Sequence, residues 1–266
     1  MDEAFSVINP VVVGGGAALV LFVGILASLR AGRRIGIRAI DRAGGAPNPN
    51  TGSLEAAVFA LLGLMIAFTF SGALTRFDLR RAQAVDEANA IGTAWLRLEL
   101  LPAAAQPPLR DSFRRYVDSR IATYQVLPDI AAARAELVRS QGLQNEIWKQ
   151  AVAATRASGV PTSAEILLMP ALNEMFDISS TRIAATQIHP PTIIYLMLIG
   201  LALVAALLAG YQSAGEKGYD WVHKVGFATI IAATVFVVLD IEFPRLGFVR
   251  LDAIDQLLVN VRAGMN

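Results

Sequence analysis

Charged side chains follow directly after two apolar segments of this sequence, at the points where a chain would leave a membrane for water. The two groups are Arg76, Arg80 and Arg81 after one segment, and Asp240, Glu242 and Arg245 after the other. A carboxylate or guanidinium at the end of an apolar segment is costly unless it is paired or faces water. The pattern therefore predicts ion pairs that join the two segments, or charges that face a path for ions.

Residue types that carry enzyme chemistry are scarce in the same sequence. It has no cysteine, and its two histidines, His189 and His223, lack the spacing of a paired metal site. It contains neither a GxSxG nucleophile turn nor a GxxxxGK phosphate loop. The net charge of +1 gives no field that would favour nucleic acid. We therefore expect no catalytic residue, no metal, no cofactor and no nucleic-acid partner.

Composition indicates a membrane protein. Of the 266 residues 55% are hydrophobic and only 17% are charged, which is too apolar for an ordinary soluble domain. Four apolar segments are each close to the 20 or so helical residues that cross the hydrocarbon of a bilayer. They are residues 11–29, 54–70, 193–211 and 222–241. We predict an all-α polytopic membrane protein with four transmembrane helices.

The second apolar segment continues into polar sequence without a helix-breaking residue. No proline lies between Pro49 and Pro102. A single helix over residues 54–101 would be roughly 70 Å long, which is more than twice the hydrocarbon thickness. We therefore predict a transmembrane helix that extends from the membrane as a long stalk.

The stalk is expected to have a packed side and a polar side. Apolar residues at helical spacing predict packing along Leu74, Phe77, Val85, Ala88, Ile91, Trp95 and Leu98, with Arg81 on the same line. The polar side carries Arg76, Arg80, Gln83, Glu87 and Arg97. The spacing leaves open whether this polar side is simply solvated or forms a charged ring at the mouth of a pore.

Prolines after the stalk begin a second region of helical pattern that extends to about residue 189. Pro102, Pro107 and Pro108 interrupt the chain, and three amphipathic segments follow with no strand pattern. The predicted division is 1–75 for the first two spans with their basic loop, 76–189 for a helical extramembrane domain, and 190–266 for the last two spans with an amphipathic tail.

The segment between the first two spans sets the predicted orientation. It contains Arg30, Arg33, Arg34, Arg38 and Arg42 against a single acid, Asp41. Short loops rich in arginine remain on the cytoplasmic side of a membrane. We therefore predict a multi-pass protein of the cell inner membrane with this loop in the cytoplasm. With four spans, the helical domain would then lie outside the cytoplasm.

Several blocks resemble the signature of the bestrophin-like family of bacterial and plant membrane proteins. The first is GLMIAFTFS at 63–71, continued by RFDLRR at 76–81 and EANAIGTA at 87–94. The blocks YVDSR at 116–120 and DIEFPRLG at 240–247 are similar to later parts of the signature. The resemblance covers roughly residues 54–260. Bestrophins are pentameric, mainly chloride-conducting channels with phenylalanines in the pore neck and a cytosolic helical domain, whereas the arginine loop places this domain outside.

The resemblance implies a homo-oligomer that spans the lipid bilayer, a pentamer if the family pattern holds, with inorganic ions as its cargo. We predict a channel, anion-conducting, whose second span lines the pore with Phe68, Thr69, Phe70, Thr75, Arg76, Leu79 and Arg80. Apolar rings gate by dewetting, and rings of arginine favour anions. Phe68 and Phe70 are about 200° apart around a helix, so only one can face the pore. We favour Phe68, with Thr75 and Leu79 on its side.

Polar residues farther along the helix leave two alternatives open. Asp78, Asp86, Glu87 and Asn89 would form a vestibule, and their carboxylates would suit a cation channel of the same architecture. The other alternative is a non-conducting membrane sensor or scaffold that binds a partner through its helical domain.

Overall fold

The computed structural model describes residues 10–42, 52–127, 129–215, 221–244, 248–249 and 252–265. Over these ranges the chain is helical and contains no β-strand. The α-helices are α1 Pro10–Arg42, α2 Gly52–Arg97, α3 Gln106–Gln125, α4 Ile130–Thr155, α5 Thr162–Ala185, α6 Thr192–Gln212, α7 Trp221–Glu242 and α8 Asp252–Ala263. The predicted all-α fold is confirmed.

Four of these helices, α1, α2, α6 and α7, are long and apolar enough to cross a membrane. The prediction of four transmembrane helices is therefore confirmed. The second is also the predicted long helix: α2 has 46 residues and passes into a 3-10 turn at Leu98–Leu100. Its length follows from the sequence, because no proline interrupts it before Pro102.

The first helix is longer than its apolar segment. The sequence assigned Arg30 to Arg42 to a connecting loop, but α1 continues as a helix through Arg42. Arginine is a good helix former, and the turn-forming residues begin only at Gly44. The arginines therefore lie on a helix and recur with helical periodicity.

The chain divides into two compact units. The membrane unit contains the described residues of Ile8–Arg76 and His189–Phe248. Its core joins apolar side chains of α1, α2, α6 and α7, among them Ile25, Leu62, Leu198, Ala205 and Val235. Glycines allow α1 and α6 to pack closely, since a Cβ on Gly210 would lie 2.1 Å from the carbonyl oxygen of Leu29.

The helical unit contains the described residues of Phe77–Ile188 and Val249–Asn266. Phe113, Tyr116, Ile147, Leu172 and Met175 are fully buried in its core, which includes the second half of α2 with α3, α4 and α5. Asp129 begins α4 as an N-cap, because its side chain accepts a hydrogen bond from the amide of Ala132. The tail helix α8 belongs to this unit, whereas the sequence division placed it with the last two spans.

The packed side of α2 in the helical unit differs from the predicted apolar stripe. Ala88, Ile91 and Leu98 are buried as expected, but Val85 is exposed. The polar residues Arg80, Gln83 and Glu87 are buried instead. Charged groups can be buried when each is paired, and periodicity of apolar residues alone does not reveal such pairs.

Candidate functional site

One side of α2 remains exposed along the whole helix, and we call it the α2 stripe. It contains Leu61, Leu64, Phe68, Thr75, Leu79, Ala82, Asp86 and Thr93, all of which are exposed. These positions all lie within about 40° of Phe68 around a helix of 3.6 residues per turn. The large apolar side chains of the stripe are exposed: Phe68 is 65% exposed and Leu79 is 50% exposed. In each of the two units, the chain leaves this side of α2 uncovered.

Of the predicted pore residues, Thr69 and Phe70 lie off the stripe. Phe70 is 39% exposed, compared with 65% for Phe68. Thr69 is half-buried, and its hydroxyl donates to the backbone carbonyl oxygens of Met65 and Ile66 at 2.8 and 3.0 Å. Thr75 lies on the stripe, and its hydroxyl donates to the carbonyl oxygen of Ser71 at 2.9 Å. Both hydroxyls are therefore engaged by their own helix.

An ion pair joins α2 to the end of α7 in the membrane unit. Arg76 Nε lies 3.0 Å from both carboxylate oxygens of Glu242, and Arg76 Nη2 lies 2.6 Å from Oε2. His189 Nδ1 lies 2.9 Å from Oε1 of the same carboxylate, and the His189 ring packs on Phe243 with 4.6 Å between centroids. Glu242 is fully buried. The charge of Arg76 is thus neutralised by a bidentate partner.

The remaining members of the predicted charge cluster have other partners. Arg80 is 6% exposed and donates to the carbonyl oxygens of Ala185 and Ile188, at 3.2 Å in each case. It thereby binds the C-terminal end of α5, where a positive charge is favourable. Arg81 is exposed and lies 3.6 Å from Asp78 on the same helix. Asp240 accepts a hydrogen bond from the amide of Phe248 at 2.8 Å, and Arg245 lies outside the described residues.

Glu87, a predicted vestibule residue, lies inside the helical unit. Its two carboxylate oxygens accept hydrogen bonds from Arg120 Nε and Arg182 Nη1, each at 2.6 Å. Burial alone would raise the pKa of Glu87, but the charges and hydrogen bonds of the two arginines outweigh it and hold that pKa below its usual range. The carboxylate is therefore ionised and binds both arginines.

Further groups complete this buried network. Arg120 donates to the Tyr124 hydroxyl at 2.7 Å, and the Arg182 guanidinium lies 4.0 Å from the centroid of the Tyr124 ring. Arg182 also donates to Asp255 on α8. The network thus ties α2, α3, α5 and α8 together. Sequence reasoning did not identify Arg120, Arg182 and Asp255 as partners of Glu87, although Arg120 ends the YVDSR block that carried the family resemblance.

The other vestibule residues are exposed. Asp86 and Asn89 line a cavity of about 760 Å³ between α2 and α5, together with Thr93, Asn173, Glu174 and Asp177. Asp78 lies outside this cavity and faces Arg81. No group of three or more ligating side chains in the described ranges could hold a metal ion. The exposed charges around the cavity are therefore acidic but do not form a metal site.

Comparisons with known proteins agree with this architecture. The family model of the Bestrophin-like domain matches residues 16–253. The structure of a mutant bestrophin homolog from the bacterium Klebsiella pneumoniae is similar, with a TM-score of 0.65 and 15% sequence identity over 90% of this chain and 98% of that one. No curated protein matches the sequence. The chain therefore belongs to the bestrophin-like family and is a multi-pass membrane protein with the fold of a bestrophin-type channel.

Proposed function

We propose that the protein is a homo-oligomeric ion channel whose pore is lined by the α2 stripe. The observation that carries this proposal is the exposure of Phe68, Thr75, Leu79 and Asp86 on one side of a helix long enough to cross a membrane. One helix cannot enclose a pore, so several copies must bring their stripes together around an axis. Five copies would follow the pattern of the family it resembles.

Phe68 is the residue we assign to the constriction. It is the aromatic side chain on the α2 stripe, and a ring of such side chains would form an apolar neck that can close by dewetting. Phe70 is about 200° away around the helix and is assigned to contacts with neighbouring helices or lipid. Thr75 and Leu79 continue the lining beyond the neck.

The charges of the stripe favour cations, which is the alternative that the sequence left open. Anion preference required Arg76 and Arg80 to face the pore, but Arg76 binds Glu242 and Arg80 is buried against carbonyl oxygens. Asp86 is the ionisable residue on the stripe, and Glu174 and Asp177 line the cavity beside it. A ring of carboxylates at this level would attract cations and repel anions.

The first test is ion flux through purified protein reconstituted in liposomes. Replacing Phe68 with alanine removes the apolar neck, and we expect the flux to rise several-fold. Phe70→Ala makes the same chemical change on another side of the helix and should leave the flux near the wild-type value. Absence of flux from both wild type and Phe68→Ala would reject the channel and favour a non-conducting sensor or scaffold.

The second test concerns ion selectivity, measured as the reversal potential in a gradient of potassium chloride. Asp86→Asn removes the carboxylate of the stripe, and the permeability ratio of cation to anion should fall. Asp78→Asn is the matched control, because Asp78 is about 80° away around the helix and faces Arg81. If Arg76→Gln changes the ratio while Asp86→Asn does not, the arginine ring that the sequence predicts is correct.

Location in the inner membrane and the orientation are part of the proposal. A cytoplasmic location for the C-terminal end of α1 is favoured by its five arginines, Arg30, Arg33, Arg34, Arg38 and Arg42. A reporter fused after Asn266 would accordingly lie outside the cytoplasm.

A further inference from the structure

The C-terminal part of α1 carries a ladder of exposed arginines. Arg30, Arg34, Arg38 and Arg42 occur at every fourth residue of the helix, and all four are exposed. Four residues correspond to about 6 Å along a helix, so the ladder is roughly 18 Å long. Asp41 is the single acid of α1 and is also exposed.

The packing of α1 fixes the direction in which the ladder points. Gly32 and Gly36 are buried against α6, and a Cβ on Gly32 would lie 1.9 Å from the carbonyl oxygen of Leu207. Positions two residues from a glycine are about 200° away around the helix. Arg30 and Arg34 therefore lie on the side of α1 opposite α6, and neither can turn toward it without losing the close helix contact.

None of the four arginines has an ion pair or hydrogen bond within the part of the chain that the structure describes. Guanidinium groups have planar donors that match the oxygens of a phosphate in a bidentate manner. A row of such groups beside a membrane helix is complementary in charge to the headgroups of anionic lipids. The membrane itself would therefore supply the negative charges that pair with these arginines.

The four arginines of the ladder lie at different depths relative to the membrane. The uncharged segment 11–29 spans about 28 Å as a helix, which is close to the 30 Å or so of hydrocarbon. Arg30 therefore lies at the edge of the hydrocarbon and Arg34 about 6 Å beyond it. The headgroup layer of one leaflet is roughly 5 to 8 Å thick, so Arg42 extends beyond it.

We propose that Arg30 and Arg34 form a binding site for the phosphate groups of anionic phospholipids, with Arg38 and Arg42 adding only long-range attraction. This site is independent of the channel proposal, because it lies on α1 and uses no residue of the α2 stripe. Each basic group beside an anionic membrane surface increases binding about fivefold, so the pair should increase it by more than tenfold.

The test compares two double variants with equal loss of charge, using the full chain purified in detergent. Binding of phosphatidylglycerol and of phosphatidylcholine is measured by native mass spectrometry. We expect wild type to bind phosphatidylglycerol at least tenfold more tightly. R30Q/R34Q should lose this preference, while R38Q/R42Q should weaken it by less than about threefold. Equal affinities of wild type for the two lipids, or equal losses in the two variants, would overturn the proposal.

Three further measurements separate the alternatives. R30K/R34K keeps both charges and should keep most of the preference, which also provides a readout if the glutamine variant folds poorly. Millimolar inorganic phosphate should not displace the bound lipid, and complete displacement would mean that the site binds free phosphate instead. Raising sodium chloride from 50 to 500 mM should weaken binding of phosphatidylglycerol but not of phosphatidylcholine, and an unchanged preference would contradict a charge-based site.

Discussion

Replacing Glu87 with glutamine is expected to lower the free energy of unfolding of the helical unit by about 3–5 kcal/mol. The Glu87 carboxylate is fully buried and accepts hydrogen bonds from Arg120 and Arg182, both of which are also buried. A neutral amide cannot balance two guanidinium groups that have no access to water. The loss is measured by chemical denaturation of the purified protein, followed by circular dichroism.

Asp86→Asn provides the matched control for this experiment. Asp86 is the preceding residue of α2 and loses the same charge, but it is exposed. Its substitution should change the free energy of unfolding by no more than about 0.5 kcal/mol. Equal losses for Asp86→Asn and Glu87→Gln would contradict the assignment of a buried pair, because net charge rather than burial would then decide stability.

The same network makes stability depend on pH in a defined direction. The pKa of Glu87 is held below its usual range in the folded protein. The stability that the Glu87 carboxylate contributes is therefore fully present above the unfolded-state pKa of about 4.3. It is lost as the pH falls through the lowered folded-state pKa. The Glu87→Gln variant should lack this part of the acid transition.

Local sequence features predicted the membrane helices because the bilayer imposes simple requirements. A helix without proline and with about 20 apolar residues satisfies them, and α2, α6 and α7 follow from that rule. The same rule failed at the end of α1, because it takes the first charged residue after an apolar segment as the end of the helix. Arg30 to Arg42 leave the hydrocarbon but have no reason to stop being helical, and α1 continues to Arg42.

The buried charges of α2 could not be predicted in the same way. Hydropathy predicts that Arg80 and Glu87 are exposed to water. Only the residues that bind them explain why they are buried. Those partners are distant in sequence: Arg120 and Arg182 follow Glu87 by 33 and 95 positions. In contrast, the position of Phe68 and Thr75 on one side of α2 follows from helix geometry alone, because seven residues are about two turns.

The ion pair between Arg76 and Glu242 has the second largest expected effect on stability. Glu242→Gln should lower the free energy of unfolding by about 3 kcal/mol, at the lower end of the range for a broken buried pair. The lower end applies because the Arg76 side chain is 23% exposed and can recover some hydration. Arg76→Gln should also be costly, since it removes the bidentate partner of a fully buried carboxylate.

A double-mutant cycle measures whether the two residues act together. Arg76→Gln combined with Glu242→Gln should recover about 0.5–3 kcal/mol relative to the sum of the single losses, because neither charge is then left unpaired. Arg81→Gln with Glu242→Gln is the control cycle, since Arg81 is exposed and faces Asp78, and its losses should add. Additive losses in the Arg76 cycle would contradict the pairing of Arg76 with Glu242, and recovery in the Arg81 cycle would indicate that Arg81 binds Glu242 instead.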